Sequence, residues 1–418
     1  MHIIIRSVLP LFVLPFVALP IHAQASPSSA SDAIKSVYEK ARNAEDAGDF
    51  AEAARLYSEA CDAGYQKACN ALGVVLFDGR GVPKDLKRAA ILFRGACDKG
   101  YATACTNLGT SYLNGEGIDK DVDLSAKLFA KACDMGEGGA CSALAYQYVE
   151  GIGFPKNTAR ANQYYSLACD HGETDSCVYL AGVYSAQEGI VGNPSQAANY
   201  LKRACDQGHA RSCGELGTAY YNGEGVTVSK RRAAQLLSSA CDAGESYYCV
   251  GIGSLYFLGE GVSKSISQAE QYFDKACRNG IAEGCLELGT FYYNGIGRAV
   301  DFGKAAQLYG LACEGGSAIG CSYAGDTHFR SDSPVHDIAL AIAFYDRACD
   351  ADYADGCLSL AQIYQEGREV KPDPKRAVDY FVRGERLKSS NQVGTIIVGP
   401  EYSEEERHEQ ATPPPPQK

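Results

Sequence analysis

The sequence predicts an all-α solenoid, stacked helix-turn-helix units with a 36-residue period, and three observations predict it. The frame Cys61-Asp62-Ala63-Gly64-Tyr65-Gln66-Lys67-Ala68-Cys69 returns as a C-x7-C pair every 36 residues. Cys97 pairs in this way with Cys105, Cys133 with Cys141, Cys169 with Cys177, and Cys205 with Cys213. Cys241 follows with Cys249, Cys277 with Cys285, Cys313 with Cys321, and Cys349 with Cys357. This uses all 18 cysteines and leaves none over. Apolar, small and aromatic residues recur three and four apart, the spacing of one helix face. Glycines interrupt these stripes at fixed positions, where a positive φ stops a helix. An exact period makes a 418-residue chain one repeat array rather than two or three globular domains.

Taken in order, residues 1–25 read as a secretory signal: His2 and Arg6, an apolar run over 8–21, then the small-x-small site Ala23-Gln24-Ala25. Pro10, Pro15 and Pro20 break that run and argue against a stable membrane span once the signal is cleaved. An even cysteine count behind an export signal predicts disulfides in a periplasmic or secreted protein. Metal binding is disfavoured, because zinc sites favour C-x2-C pairs with nearby histidines and neither pattern occurs. No cofactor is expected. A formal charge of −12, from 39 Lys+Arg against 51 Asp+Glu, excludes a nucleic-acid footprint.

Residues 26–64 form a linker and a capping hairpin resembling a tetratricopeptide unit, with helical period over 33–41 and a second helix reaching Cys61. Nine units follow over 65–388. In helix A, eleven residues after each first cysteine, stand Leu72, Leu108, Leu144, Leu180, Leu216, Ile252, Leu288, Ala324 and Leu360. A small residue comes next, as at Gly73 or Gly109, so that a neighbouring helix can approach closely; three further on stands an aromatic such as Tyr112 or Tyr256. A G-x-G turn ends helix A. Helix B carries alanines such as Ala89 and Ala269, then Phe93 and Phe273 four residues on, and closes at the glycine three residues beyond each cysteine. Asp352 alone replaces that glycine. The C-x7-C frame thus joins the end of one helix B to the start of the next helix A. The fourth unit (loop 187–194) and the eighth (328–334) depart from the pattern. Residues 389–418 read as a disordered tail with an apolar run at 395–398, acidic residues over 401–409 and prolines at 413–416.

The face of helix A opposite the stripe is polar and variable. Asn107, Thr110 and Asn114 share it in one unit, Glu215, Thr218 and Asn222 in another, Glu287, Thr290 and Asn294 in a third. Stacking would turn these trios into a ladder, to which Tyr146 and Tyr179, at equivalent positions, add aromatic contacts.

The unit A-L-G-x-x-Y-x-x-G-x-G-V, with its two cysteines, resembles the Sel-one-like repeat, a relative of the tetratricopeptide repeat, in the form found in secreted cysteine-rich proteins of Helicobacter. The resemblance implies a right-handed superhelix of disulfide-linked hairpins with helix A on its concave side, where asparagines clamp a peptide backbone. It implies two activities: a scaffold for protein or peptide partners, or penicillin binding with weak β-lactamase activity. The second finds no residues here, since S-x-x-K, S-D-N, K-T-G and H-x-H-x-D-H are all absent. The expected function is therefore an exported scaffold that binds a protein or peptide through the ladder, with β-lactam binding as the alternative and no catalytic residues assigned.

Overall fold

The computed structural model describes residues 27–185 and 192–391. The expected signal at 1–25, loop residues 187–191 and the tail segments at 395–398 and beyond lie outside the described residues. Among those described, every regular element is an α-helix. The contacts divide the chain into a unit ending at Tyr164 and a unit beginning at Tyr165.

The first unit opens with α1 (Pro27–Asp46) and α2 (Phe50–Asp62), the expected capping hairpin. It continues with α3 (Gln66–Asp78), α4 (Leu86–Asp98), α5 (Ala102–Asn114), α6 (Val122–Asp134), α7 (Gly138–Glu150) and the first half of α8 (Thr158–Asp170). The second holds the rest of α8, then α9 (Thr174–Tyr184), α10 (Pro194–Asp206), α11 (Ala210–Asn222), α12 (Lys230–Asp242), α13 (Tyr247–Leu258) and α14 (Ile266–Arg278). It ends with α15 (Ala282–Asn294), α16 (Phe302–Glu314), α17 (Ala318–Phe329), α18 (Ile338–Asp350), α19 (Ala354–Glu366) and α20 (Pro374–Asn391). The last of these runs past residue 389, where the tail was expected to begin. From α3 onward, odd-numbered helices are helix A and even-numbered ones helix B.

Helix B starts are written in the sequence. Asp49, Asp85, Asp121, Asn193, Ser229, Ser265, Asp301 and Asp337 each accept a hydrogen bond from the main-chain N–H three residues on, as Asp85 Oδ1 does from Arg88 at 3.0 Å. These caps satisfy donors the first helical turn leaves unpaired, worth about 1 kcal/mol each. Helix ends follow the glycines. Gly115 at φ 77° caps α5, and its N–H bonds the Ser111 carbonyl. The second glycine of each G-x-G turn has a further reason to be glycine: a Cβ on Gly117 would overlap the Leu86 backbone, and one on Gly225 the Pro194 backbone. The loop therefore sits directly on the start of the preceding helix B. Where glycine is missing the backbone keeps its conformation, with φ 58° at Asp352 and 55° at Glu369.

Burial follows the stripes. Leu108, Leu144, Leu180, Ile252, Leu288 and Leu360 are buried, as are Phe93, Phe129, Phe273, Tyr309 and Tyr345 on helix B. Each of those rings lies against the small-residue position of its own repeat where that is glycine: Phe93 on Gly73, Phe273 on Gly253, Tyr345 on Gly325. A Cβ at these glycines would overlap the ring, so the small residue serves ring-to-backbone packing within the hairpin. A second aromatic layer clasps A to B through the parallel stacks Tyr148–Tyr164, Tyr184–Tyr200, Tyr256–Tyr272 and Tyr364–Tyr380.

All nine C-x7-C frames are disulfides joining helix B to the next helix A. In the first unit Cys61 bonds Cys69, Cys97 bonds Cys105, and Cys133 bonds Cys141. In the second, Cys169 bonds Cys177, Cys205 bonds Cys213, and Cys241 bonds Cys249. Cys277 with Cys285, Cys313 with Cys321, and Cys349 with Cys357 complete the set. Their Cα–Cα distances run from 4.5 Å at Cys277 and Cys285 to 4.9 Å at Cys169 and Cys177, which suits a bridge. A cation two residues before the cysteine adds contacts between consecutive B helices. Arg203 reaches Asp170 and Lys275 reaches Asp242; Arg383, at the equivalent position of the last helix B, reaches Asp350, each pair 33 residues apart.

Candidate functional site

Within each unit, helix A touches the helix A of the next repeat: α5 meets α7, and α13, α15, α17 and α19 meet in succession. The face left over after packing against helix B carries the expected ladder. Its two central register positions lie ten and thirteen residues after each first cysteine, and they are half-buried or exposed wherever side chains occupy them in the expected trios.

In the first unit the ladder is satisfied internally. The Asn107 amide donates to Asn70 Oδ1 on the preceding helix A at 2.8 Å. Thr103 Oγ1 donates to Glu137 Oε2 at 3.0 Å, tying α5 to the start of α7. Thr110 returns its hydroxyl to the Thr106 carbonyl at 3.1 Å. Asn114 is exposed, and its amide donates to Glu116 Oε2 within its own turn at 3.2 Å. Tyr146, on α7, is 53% exposed.

In the second unit the register carries different chemistry. Tyr179 is 40% exposed, with its ring 4.5 Å from that of Tyr165. Glu215 pairs with Arg211 at 3.3 Å on the same exposed face, and Thr218 donates to the Gly214 carbonyl at 3.2 Å. Asn222 braces its turn through Glu224 at 2.8 Å, as Asn114 does. Asn294 is half-buried immediately before Gly295. Thr290 Oγ1 bonds the Leu286 carbonyl at 3.0 Å and shares a 3.2 Å hydrogen bond with the Tyr309 hydroxyl. Glu287 is half-buried, and burial pushes its carboxyl up to about 7.

The register supplies no partner for this carboxyl as it does for Asn107. Asn107 is met by Asn70, which stands nine residues after its cysteine; the residue so placed before Glu287 is Val250, which offers no hydrogen bond. Beside it, Gly251 occupies the position equivalent to Glu287 on α13, and a Cβ there would touch only Leu237, at ordinary contact distance.

The structure adds residues to the ladder that the sequence-level trios omit. Tyr323 and Asp326, on α17, hold the same two register positions in the eighth unit. Tyr345 donates to Asp326 Oδ1 at 2.7 Å; burial, ahead of the nearby Asp355, raises the Asp326 carboxyl. Tyr247, one turn earlier on α13, is 65% exposed. Tyr323 and Asp326 follow from the count of ten and thirteen residues from the cysteine; Tyr247, six residues on, lies one turn outside it.

The Sel1 repeat family model matches residues 46–65, 66–101, 102–137, 139–173, 174–209, 210–245, 246–281, 282–317, 319–353 and 354–387. Among solved structures, a protective antigen of uropathogenic Escherichia coli with an SLR fold is similar at TM-score 0.67 and 24% identity, over 85% of this chain and 78% of that one. A Sel1 repeat protein from Oxalobacter formigenes matches at TM-score 0.51 and 23% identity, over 74% and 89%. Cysteine-rich protein B of Helicobacter pylori is 34% identical over 30% of this chain and 91% of its own, at TM-score 0.25. No curated protein matches the chain.

Proposed function

This chain belongs to the Sel1 repeat family, and from that premise we propose that it is an exported scaffold that holds a protein or peptide partner along its helix-A face. The observation carrying this reading is that the face exposes large aromatics amid polar groups. Tyr146 and Tyr179 stand in the register that packing leaves free and Tyr247 one turn before it, and such side chains supply much of the affinity of protein interfaces. Nine disulfides suit an oxidising compartment outside the cytoplasm.

Acyl-transfer chemistry draws no support from the same face. A nucleophilic hydroxyl needs a base within hydrogen-bond reach. Thr110, Thr218, Ser254 and Thr290 instead each donate to a main-chain carbonyl one turn back.

Probing an array of random extended peptides with the oxidised chain tests the proposal. We expect selected peptides to bind, and Tyr179→Ala combined with Tyr247→Ala, both in the second unit, to weaken the tightest at least tenfold without loss of helicity. Binding that is unchanged in the double variant removes this face as the site; an array that retains nothing removes the scaffold reading.

A further inference from the structure

The last helix of the array turns an apolar side to solvent. On α20, Val378, Phe381 and Val382 stand three and four residues apart on one face, and they are 60%, 53% and 49% exposed. Phe381 holds the ring position of helix B, whose equivalents Phe93, Phe129, Phe273, Tyr309 and Tyr345 are at most 2% exposed. Beyond their own hairpin, those rings are covered by helix A of the next repeat. Phe273 clusters with Leu288 of α15, and Tyr345 with Leu360 of α19. Among the described residues no helix follows α20 to do the same.

An end helix that met only water is expected to be polar on its outer side, because terminal units of repeat arrays need a polar outer face. This chain does the reverse. Val382 stands where α18 has Asp346, α14 has Asp274 and α12 has Ser238. The end face is thus apolar by substitution as well as by exposure, and a contiguous patch of that kind marks a contact surface.

Reach and charge both favour one occupant. Asn391 ends α20 ten residues past Phe381, about 15 Å along the axis at 1.5 Å per residue. Ile396, Ile397 and Val398 follow five to seven residues later, within about 17–23 Å of extended chain, and Gly394 stands where the direction has to reverse. Folded back along α20, that run arrives at Phe381 and Val378. The acidic run Glu404-Glu405-Glu406 then falls beside the entry to α20, where Lys371 and Lys375 are exposed. A second copy of α20 offers those lysines no comparable acidic run.

We propose that residues 395–398, which lie outside the described residues, dock on the Val378–Phe381–Val382 face of α20 as an internal cap, in place of a further helix A. The contact completes the last core without another repeat. It does not depend on the binding face, since α20 is a helix B.

Photo-crosslinking of the full oxidised chain tests the assignment. A p-benzoylphenylalanine probe replaces Ile397, or Thr412 as a control, and adducts are mapped after tryptic digestion. The probe at 397 is expected to join the tryptic peptide 377–383, which holds all three face residues, within one chain and at a yield unaffected by dilution. That yield is expected to be at least fivefold above the yield from position 412. Ile396→Ser combined with Val398→Ser is expected to lower it at least fivefold with helicity unchanged, which separates apolar docking from mere tethering. Adducts scattered over many peptides, or an equal yield in the serine variant, would overturn the cap. An adduct between chains that vanishes on dilution would assign the face to a second copy and overturn it as well.

Discussion

Asn107 in the first unit and Glu287 in the second occupy the same register position on the same kind of helix, yet their surroundings treat them differently. Asn107 finds Asn70 at 2.8 Å; Glu287 is half-buried without a hydrogen bond among the described residues, and desolvation raises its carboxyl pKa. The repeat therefore supplies one backbone and one disulfide frame throughout, while the side chains brought to one register position differ in whether they are hydrogen-bonded to the preceding helix A. A satisfied amide pair rigidifies its two helices. A carboxylate whose pKa is raised by desolvation destabilises its own helix when it ionises.

The largest expected effect asks whether the two units are equivalent as scaffolds. Replacing Cys97 and Cys105 by alanine, or Cys277 and Cys285, removes one clamp from either unit. The chain-entropy estimate for such a loop is about 2.6 kcal/mol. Hydrogen exchange of the flanking helices should report similar losses in both; a much larger loss in one unit would show that the frames are not interchangeable.

The next effect separates the two faces. The folded Glu287 carboxyl titrates near 7 against an ordinary value of 4.5, so its neutral form stabilises the fold fully below about pH 4.5 and that contribution is lost as pH rises through 7. Glu287→Gln should therefore match the native chain at pH 4.5 and exceed it at pH 8 by about 2 kcal/mol, allowing for partial solvent screening of a shift of this size. Local opening energies of α15 measure this, and a difference independent of pH would sink the assignment. The smallest effect is its counterpart: Asn107→Ala should cost about 1 kcal/mol in α5, equally at both pH values.

Much of the scaffold is legible in particular residues. Cys97 and Cys105 predict their own bridge and Gly115 the end of α5, while the Asp85 cap that starts α4 is seen in the structure. The cations two residues before alternate first cysteines, Lys131, Arg203, Lys275 and Arg347, form a regularity of the sequence whose meaning, a reach back to the preceding helix B, emerges only when those helices lie side by side. Asn114 and Asn222 share the ladder's spacing with Asn107, but the fold turns them onto the glutamate of their own loop.

By itself the sequence determined the period, the helix ends, the crosslinks and the face that packing leaves free, because each depends on residues within one repeat and on local backbone preference. Which group on that face is unmet was decided by tertiary structure. Desolvation sums over every atom around a carboxyl, including those of helices that the residue's own repeat does not encode.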